Sequence, residues 1–198
     1  MDITLAQALA ERRSVRRFAE RAIPLPSLEK ILWAAQGKSG EDGKRTTPSA
    51  HALYPLRLFV LAARVAGLER GLYALAPEGA GLKTVDGADL RPALCDAAIG
   101  NPEWIAEAPC IIAICADMVS PARAFADQPP CGARGARYVY LEAGAAAQNI
   151  QLQAVGEGLG SVLVGGFDDE ATAGVLSLPA PLQPLALLCL GFSAPEGS

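Results

Sequence analysis

Residues 142–167 read EAGAAAQNIQLQAVGEGLGSVLVGGF, and the fold is decided there. The first part belongs to a long helix over 134–158, with Leu141, Ala145, Gln148, Leu152 and Val155 recurring along one face. Ala143, Gly144, Ala145, Ala146 and Ala147 carry little side chain in any direction. Neighbours can therefore approach this helix from several sides, as at the centre of a domain or a dimer; an ordinary core helix is the plainer alternative. Gly158 caps its C-terminus. A short strand over 161–164 follows, and Gly165 and Gly166 turn the chain. Two glycines let a ligand approach the backbone closely, although such a pair after a strand is more often a turn alone.

Working outward, 168–176 reads as a helix with acids in its first turn, as the helix dipole favours, and 185–191 as a final strand. Upstream, PCIIAICAD over 109–117 is a strong strand. Residues 89–99 form a helix that tolerates Pro92 in its first turn. Strands over 57–63, 70–75 and 81–85 make a meander. Two helices precede them. The first, 4–11, carries Leu5 and Leu9 on one face. The second starts at Ser27 as N-cap and runs through Leu28, Ile31, Leu32 and Ala35. Between it and the meander, residues 37–47 (GKSGEDGKRTT) read as a glycine-rich loop. Helices and strands alternate only in the second half, which favours an α+β fold over a doubly wound one. No repeat or linker divides the chain, so residues 1–198 are expected to form one domain.

The chain has 198 residues, 51% of them hydrophobic and 19% charged, a composition that folds rather than stays disordered. A net charge of -4 argues against general nucleic-acid binding. The first residues lack the basic region and apolar core of a secretory signal. No uncharged apolar run reaches the roughly 18 residues of a membrane span. The expectation is a soluble, cytoplasmic protein without membrane partners. Of five cysteines (Cys95, Cys110, Cys115, Cys131 and Cys189), no pair is spaced C-x-x-C, and His51 is the only histidine. That leaves little from which to build a metal site. Buried free thiols in a reducing compartment are expected.

Against this acidic background, Arg12-Arg13-Ser14-Val15-Arg16-Arg17-Phe18 stands out. Arginine offers a rigid fork of N–H donors that matches phosphate or carboxylate oxygens two at a time. A serine hydroxyl and backbone N–H groups can complete the shell. The cluster reads as a site for a phosphorylated small molecule, with the charged end of an exposed helix as the alternative. Gly158-Leu159-Gly160 follows a helix and precedes a strand, the reverse of a dinucleotide fingerprint, and no Walker-type G-x-x-x-x-G-K occurs. A phosphate would thus be held by arginine side chains. A further segment, Thr46-Thr47-Pro48-Ser49-Ala50-His51-Ala52-Leu53-Tyr54-Pro55, is bracketed by prolines. It favours an extended course with accessible backbone groups, able to lie along a flat heterocycle.

Taken together, these three segments resemble the nitroreductase-like family of flavin enzymes over nearly the whole length. TTPSAHALYPLRLFVL (46–61) is most similar to the azoline dehydrogenase branch, which oxidises peptide thiazolines and oxazolines. EAGAAAQNIQLQAVGEGLGSVLVGGF and the following DDEATAGVLSLPAPLQPLALLCLG (168–191) resemble the family's central helix and C-terminal half. The resemblance implies a three-layer α+β fold with a mixed central sheet flanked by helices, and a homodimer binding FMN at its interface. It implies that Arg12, Arg13, Ser14 and Arg16 hold the phosphate and ribityl chain. Pro48, Ser49 and Ala50 of the other subunit would contact the isoalloxazine ring, and Gly165 and Gly166 would offer N–H groups near flavin N5. A phosphate of about two negative charges calls for at least two arginines. The flavin carries the redox chemistry and no strong catalytic acid is needed.

Members of the family often add an Arg or Lys near the C-terminus. None follows Gly191 here, so phosphate neutralisation is expected to rest on the N-terminal cluster. His51 stands where the related branch commonly has glycine, and it reads either as a proton donor near the flavin or as a loop histidine. Arg137-Tyr138 falls near a Lys-Tyr pair of some azoline dehydrogenases. An arginine that stays protonated is a poor base there. The implied activity is ping-pong hydride transfer, either reducing nitro or quinone acceptors with NAD(P)H or dehydrogenating a small heterocyclic metabolite. A non-catalytic FMN-binding or storage protein is the alternative, and a flavin-free relative with paired arginines a third.

Overall fold

The computed structural model describes residues 3–76, 81–129 and 133–195. The chain opens with α1 (Leu5–Glu11), where Thr4 and Gln7 form a reciprocal capping box: the Gln7 N–H donates to Thr4 Oγ1 at 3.2 Å and the Thr4 N–H to Gln7 Oε1 at 2.8 Å. Only Ala8 of α1 is buried; Leu5 and Leu9 point outward, 67% and 54% exposed. A two-residue strand β1 (Ile23–Pro24) leads into α2 (Leu25–Gln36). This helix begins before Ser27: Pro24 is its extended N-cap, and Pro26, with its φ preset for a helix, sits in the first turn. The Ser27 hydroxyl instead donates to Glu157 Oε2 at 2.9 Å.

Strands β2 (Leu56–Ala62), β4 (Gly71–Leu75) and β5 (Leu82–Asp86) form the expected meander, with a two-residue β3 (Val65–Ala66) between the first two, pairing with β1. Then come α3 (Arg91–Ala97), α4 (Trp104–Glu107), β6 (Cys110–Asp117), α5 (Val119–Ala124), α6 (Arg134–Gly156), β7 (Gly160–Val164), α7 (Asp169–Val175) and β8 (Leu182–Gly191). The four-residue α4 and six-residue α5 are too short to leave a periodic signal.

The central sheet has the order β5-β4-β2-β6-β8-β7, and every neighbouring pair in it is antiparallel. The expected mixed sheet is therefore corrected. The long crossover through α6 does make β7 run parallel to β6, but β8 slots between them, antiparallel to both. Among the described residues, parallel pairing occurs only in the small β1–β3 pair and at an isolated Ser14–Ser161 bridge. β6 lies mid-sheet and is buried on both faces, hence its unbroken apolar run. Leu58, Val60, Ile112 and Leu188 face α2 and α6, while Phe59, Leu61, Ile111 and Leu187 face the layer with Leu94, Ile105 and Leu176. Helices thus cover both faces.

α6 ends in a Schellman turn: the Leu159 N–H donates to Ala154 O at 2.8 Å and the Gly158 N–H to Val155 O at 2.9 Å, with Gly158 at φ +72°. Val139, Glu142, Ala143, Ala146, Ala147, Ile150 and Ala154 make its buried side. The Leu141–Val155 line points away from the sheet instead, and Leu141 is 65% exposed. Small residues on the buried side let α6 pack close to α2 and the sheet, leaving a second apolar face uncovered. Cys95, Cys110, Cys115 and Cys189 are buried free thiols; burial pushes Cys110 and Cys115 up to about 12. Cys131 lies outside the described residues. Among those residues no helix is long and apolar enough to cross a membrane.

Candidate functional site

The arginine cluster is built onto the edge of the sheet. Arg12 closes α1, and Arg13 Nη1 donates to the carbonyls of Ala10 at 2.9 Å and Arg12 at 2.8 Å. Those contacts satisfy carbonyls that the helix end leaves open. The chain then runs along β7, with the Val15 N–H donating to Ser161 O at 3.0 Å. Val15 sits directly on Gly160, where a Cβ would come within 2.6 Å of Val15 Cγ2. Further on, the Ala19 N–H donates to Phe192 O at 2.8 Å and the Ala194 N–H to Arg17 O at 3.0 Å. The segment is tied at one end to β7 and at the other to the backbone just past β8. Arg13, Ser14 and Arg16 are exposed and Arg12 half-buried. Arg16 leans over the Trp104 ring at 5.8 Å. Among the described residues no carboxylate forms an ion pair with Arg12, Arg13 or Arg16.

Gly165 and Gly166 leave the other end of β7, and both are exposed. The Gly166 carbonyl accepts from the Ile99 N–H at 3.0 Å, which fixes the turn while leaving Gly165 with nothing within 4 Å of where a Cβ would stand. From Ser161 to Gly165 the extended backbone covers about 13 Å. One strand edge therefore carries, near its start, three guanidinium groups that meet no carboxylate among the described residues and a hydroxyl, and at its finish bare glycine backbone.

Pro48, Ser49 and Ala50 lie elsewhere. Their segment is anchored by Thr47, whose hydroxyl donates to Ala35 O at 2.7 Å and accepts from Asn149 Nδ2 at 3.1 Å. Pro48 is exposed, Ser49 and Ala50 half-buried, and Ser49 Oγ accepts from the Tyr54 N–H at 2.9 Å. His51, Ala52 and Tyr54 adopt φ of +52°, +54° and +46°, a left-handed conformation that side chains disfavour and that concentrates at functional segments. The exposed His51 ring lies 5.0 Å from Phe125, which meets Tyr138 edge-on at 4.8 Å. The Tyr138 hydroxyl donates to Gln128 Oε1 at 2.8 Å, and Arg137 is exposed.

Beneath this segment sits Glu142 of α6, 4% exposed. Burial pushes its carboxyl pKa up, while Ser49, Gln36 and the positive charge of Arg45 draw it back down. Ser49 thus faces the middle of α6, whereas Val15 packs just past its end. The α6 stretch from Glu142 to Gly156 alone is about 20 Å long. Arg12, Arg13, Ser14 and Arg16 lead onto the start of β7 and Gly165 and Gly166 leave its end, whereas Pro48, Ser49 and Ala50 belong to a separate segment anchored through Thr47 to α2 and α6. Glu142 escaped the sequence reading, yet a signal existed: an acid at helical spacing among Val139, Ala143, Ala146 and Ile150.

Comparison with known proteins gives a consistent result. The model of the Nitroreductase family matches residues 9–192. A protein of Methanocaldococcus jannaschii, provisionally named a nitroreductase, is 36% identical over 190 residues, which is 96% of this chain and 91% of that protein. A crystal structure from Ralstonia eutropha, also provisionally named a nitroreductase, superposes with a TM-score of 0.81 at 26% identity, covering 99% of this chain and 86% of that one. A chain of the Escherichia coli microcin synthetase McbBCD complex superposes at 0.77 with 22% identity, over 98% of this chain and 74% of that one. At that identity the likeness concerns the fold.

Proposed function

The chain belongs to the nitroreductase family, and from that membership we propose that it is an FMN-dependent oxidoreductase working as a homodimer. The observation that carries the reading is the edge of β7, with Arg12, Arg13 and Arg16 free of carboxylates at one end and bare glycine backbone at the other. The donor set suits a phosphate dianion, since guanidinium forks and a hydroxyl are groups that bind phosphate oxygens. Arg12, Arg13, Ser14 and Arg16 would hold the FMN phosphate and ribityl chain, and Gly165 and Gly166 would lie beside the ring. When bound, FMN supplies hydride acceptance and donation. The protein's residues bind, orient and shield it.

The remaining wall of the site, Pro48, Ser49 and Ala50, is proposed to come from the second subunit. Leu5, Leu9, Trp33, Tyr140 and Leu141 are all more than half exposed. A groove of about 790 Å³ runs between α1, α2 and α6, lined by Leu5, Trp33, Asn149 and Leu152 among others. An apolar surface of this kind marks an association site, and a two-fold partner laid over α6 would bring its 48–50 segment toward the first subunit's arginines. NAD(P)H is the proposed electron donor, with a nitro or quinone acceptor. Dehydrogenation of a small heterocycle is the competing use of the same site, motivated by the similarity of 46–61 to azoline dehydrogenases. A reducing cytoplasm would suit the buried free thiols.

The visible spectrum of the purified protein, recorded before and after anaerobic NADPH, tests this reading. Flavin bands that bleach are the expected result. Bands that persist would point to another donor or to FMN storage without turnover. A protein that stays colourless after mixing with FMN would overturn the flavin assignment.

A further inference from the structure

A helix leaves its last four carbonyls without partners of its own. At the end of α2 these belong to Ala34, Ala35, Gln36 and the capping Gly37. Each is taken. Ala34 O accepts from Asn149 Nδ2 at 3.0 Å, Ala35 O from the Thr47 hydroxyl at 2.7 Å, Gln36 O from Arg45 Nη1 at 3.3 Å and Gly37 O from the Thr46 N–H at 2.9 Å. The Thr46 hydroxyl adds a bond to Trp33 O at 3.0 Å. Capping alone asks for no particular donors, since water serves at many helix ends. Here Arg45, Thr46 and Thr47 are consecutive and lead directly into Pro48. The remaining donor comes from α6, and the same Asn149 nitrogen donates to Thr47 Oγ1 at 3.1 Å. Thr47 is fully buried, and its one hydroxyl proton goes to Ala35 O, so its oxygen is left to accept. Asn149 therefore faces two acceptors. An amide NH2 carries a proton for each, whereas an aspartate or an apolar residue has none to give.

The segment is also closed on itself. Ser49 Oγ accepts the Tyr54 N–H at 2.9 Å, Ser49 O accepts the Ala52 N–H at 3.1 Å, and the Arg45 N–H donates to the Tyr54 hydroxyl at 3.2 Å. Within it His51, Ala52 and Tyr54 are held left-handed, a conformation that persists only where surrounding contacts over-determine it. We propose that the end of α2 and Asn149 form a socket that positions the 48–50 wall. Thr47 and Asn149 are its positioning residues, and they hold Pro48, Ser49 and Ala50 in place before the flavin ring arrives. A wall already in place avoids the ordering that binding otherwise has to impose. The ring contact rests on the function proposed above, whereas the hold on the segment belongs to the chain alone.

Thr47→Val removes the hydroxyl at nearly constant shape, and Thr47 does not line the groove between α1, α2 and α6. Hydrogen exchange of the Ala52 and Tyr54 amides is followed in flavin-free protein, and affinities for FMN and riboflavin by fluorescence titration. The variant should exchange faster and bind both flavins about tenfold more weakly, roughly the effect of one hydrogen bond. The two losses should be equal, because both flavins share the ring and only FMN carries the phosphate. Thr47→Ser keeps the hydroxyl while giving up a buried methyl, so it should stay near wild type; a role in packing alone predicts the reverse. If Thr47→Val fails to fold, Asn149→Leu reads the same socket from α6. Unchanged exchange in the folded variants overturns the proposal. Faster exchange with unchanged flavin affinity, or a loss confined to FMN, overturns the ring-facing role and keeps the hold on the segment. Wild-type protein that binds neither flavin overturns the flavin reading, and the exchange data then decide the socket by themselves.

Discussion

Arg12, Arg13 and Arg16 spend their charge on no carboxylate among the described residues, which is costly in mutual repulsion unless an anion is to be met. Each charge-assisted hydrogen bond to a phosphate is worth about 1.5–3 kcal/mol. Replacing Arg12 and Arg16 together by alanine should therefore weaken FMN by two or more decades and leave the far-ultraviolet circular dichroism unchanged. Stoichiometric flavin retained by the double variant would place the phosphate elsewhere. This cluster stands out in the sequence because four arginines fall within six positions of an acidic chain, although a charge run by itself is ordinarily a solvated face. Glu142 was not, because one acid in a long helix is ordinarily a solvated one; only the packing of α2 and the 46–54 segment over it turns it into a buried group. The strain at His51, Ala52 and Tyr54 was equally invisible, since none is a glycine and their backbone angles are imposed by tertiary contacts.

At the scale of elements, β7 acts as the ruler of the proposed site. It sets the distance from the arginine segment to Gly165, and Gly160 sets how closely that segment approaches. The φ of Gly160 is ordinary, so the need for glycine there is one of space: the atoms its Cβ would strike, Val15 Cβ and Cγ2, belong to a stiff β-branched side chain. Gly160→Val should push Val15 away from Ser161, cost roughly 1–3 kcal/mol in overpacking and reduce FMN affinity. Adding Val15→Ala should recover part of both losses. A Gly160→Val protein with wild-type melting temperature and FMN affinity would show that the arginine segment is not registered by β7. The neighbouring elements also show where pattern reading stops. The run Leu141, Ala145, Gln148, Leu152 and Val155 is a true apolar face, but α6 has two such faces, and alanines rather than large residues make the one that meets the sheet. Hydrophobic periodicity identified the helix without ranking its faces. The mixed sheet failed for a related reason: nothing in the local sequence of β8 says that it inserts between β6 and β7.

At the scale of the molecule, the arginines and the 48–50 wall of the proposed site belong to separate segments, and this yields a test independent of any single contact. If a site takes its arginines from one subunit and its 48–50 wall from the other, two damaged subunits can repair each other. A protomer with Arg12→Ala and Arg16→Ala keeps a sound wall; a protomer with Ser49→Ala and Pro48→Gly keeps sound arginines. Each homodimer should bind FMN weakly. Unfolding and refolding an equal mixture gives hybrids in which one site combines both intact halves, and two-fold symmetry then predicts recovery of about a quarter of the wild-type FMN capacity. Titration of the mixture, with hybrids separated by differently charged tags, measures this directly. Capacity that stays at the level of the unmixed variants would mean that each chain builds its site alone, and the uncovered face of α6 would then need another partner. Recovery confined to the hybrid fraction would show that one subunit supplies the arginines and the other the 48–50 wall.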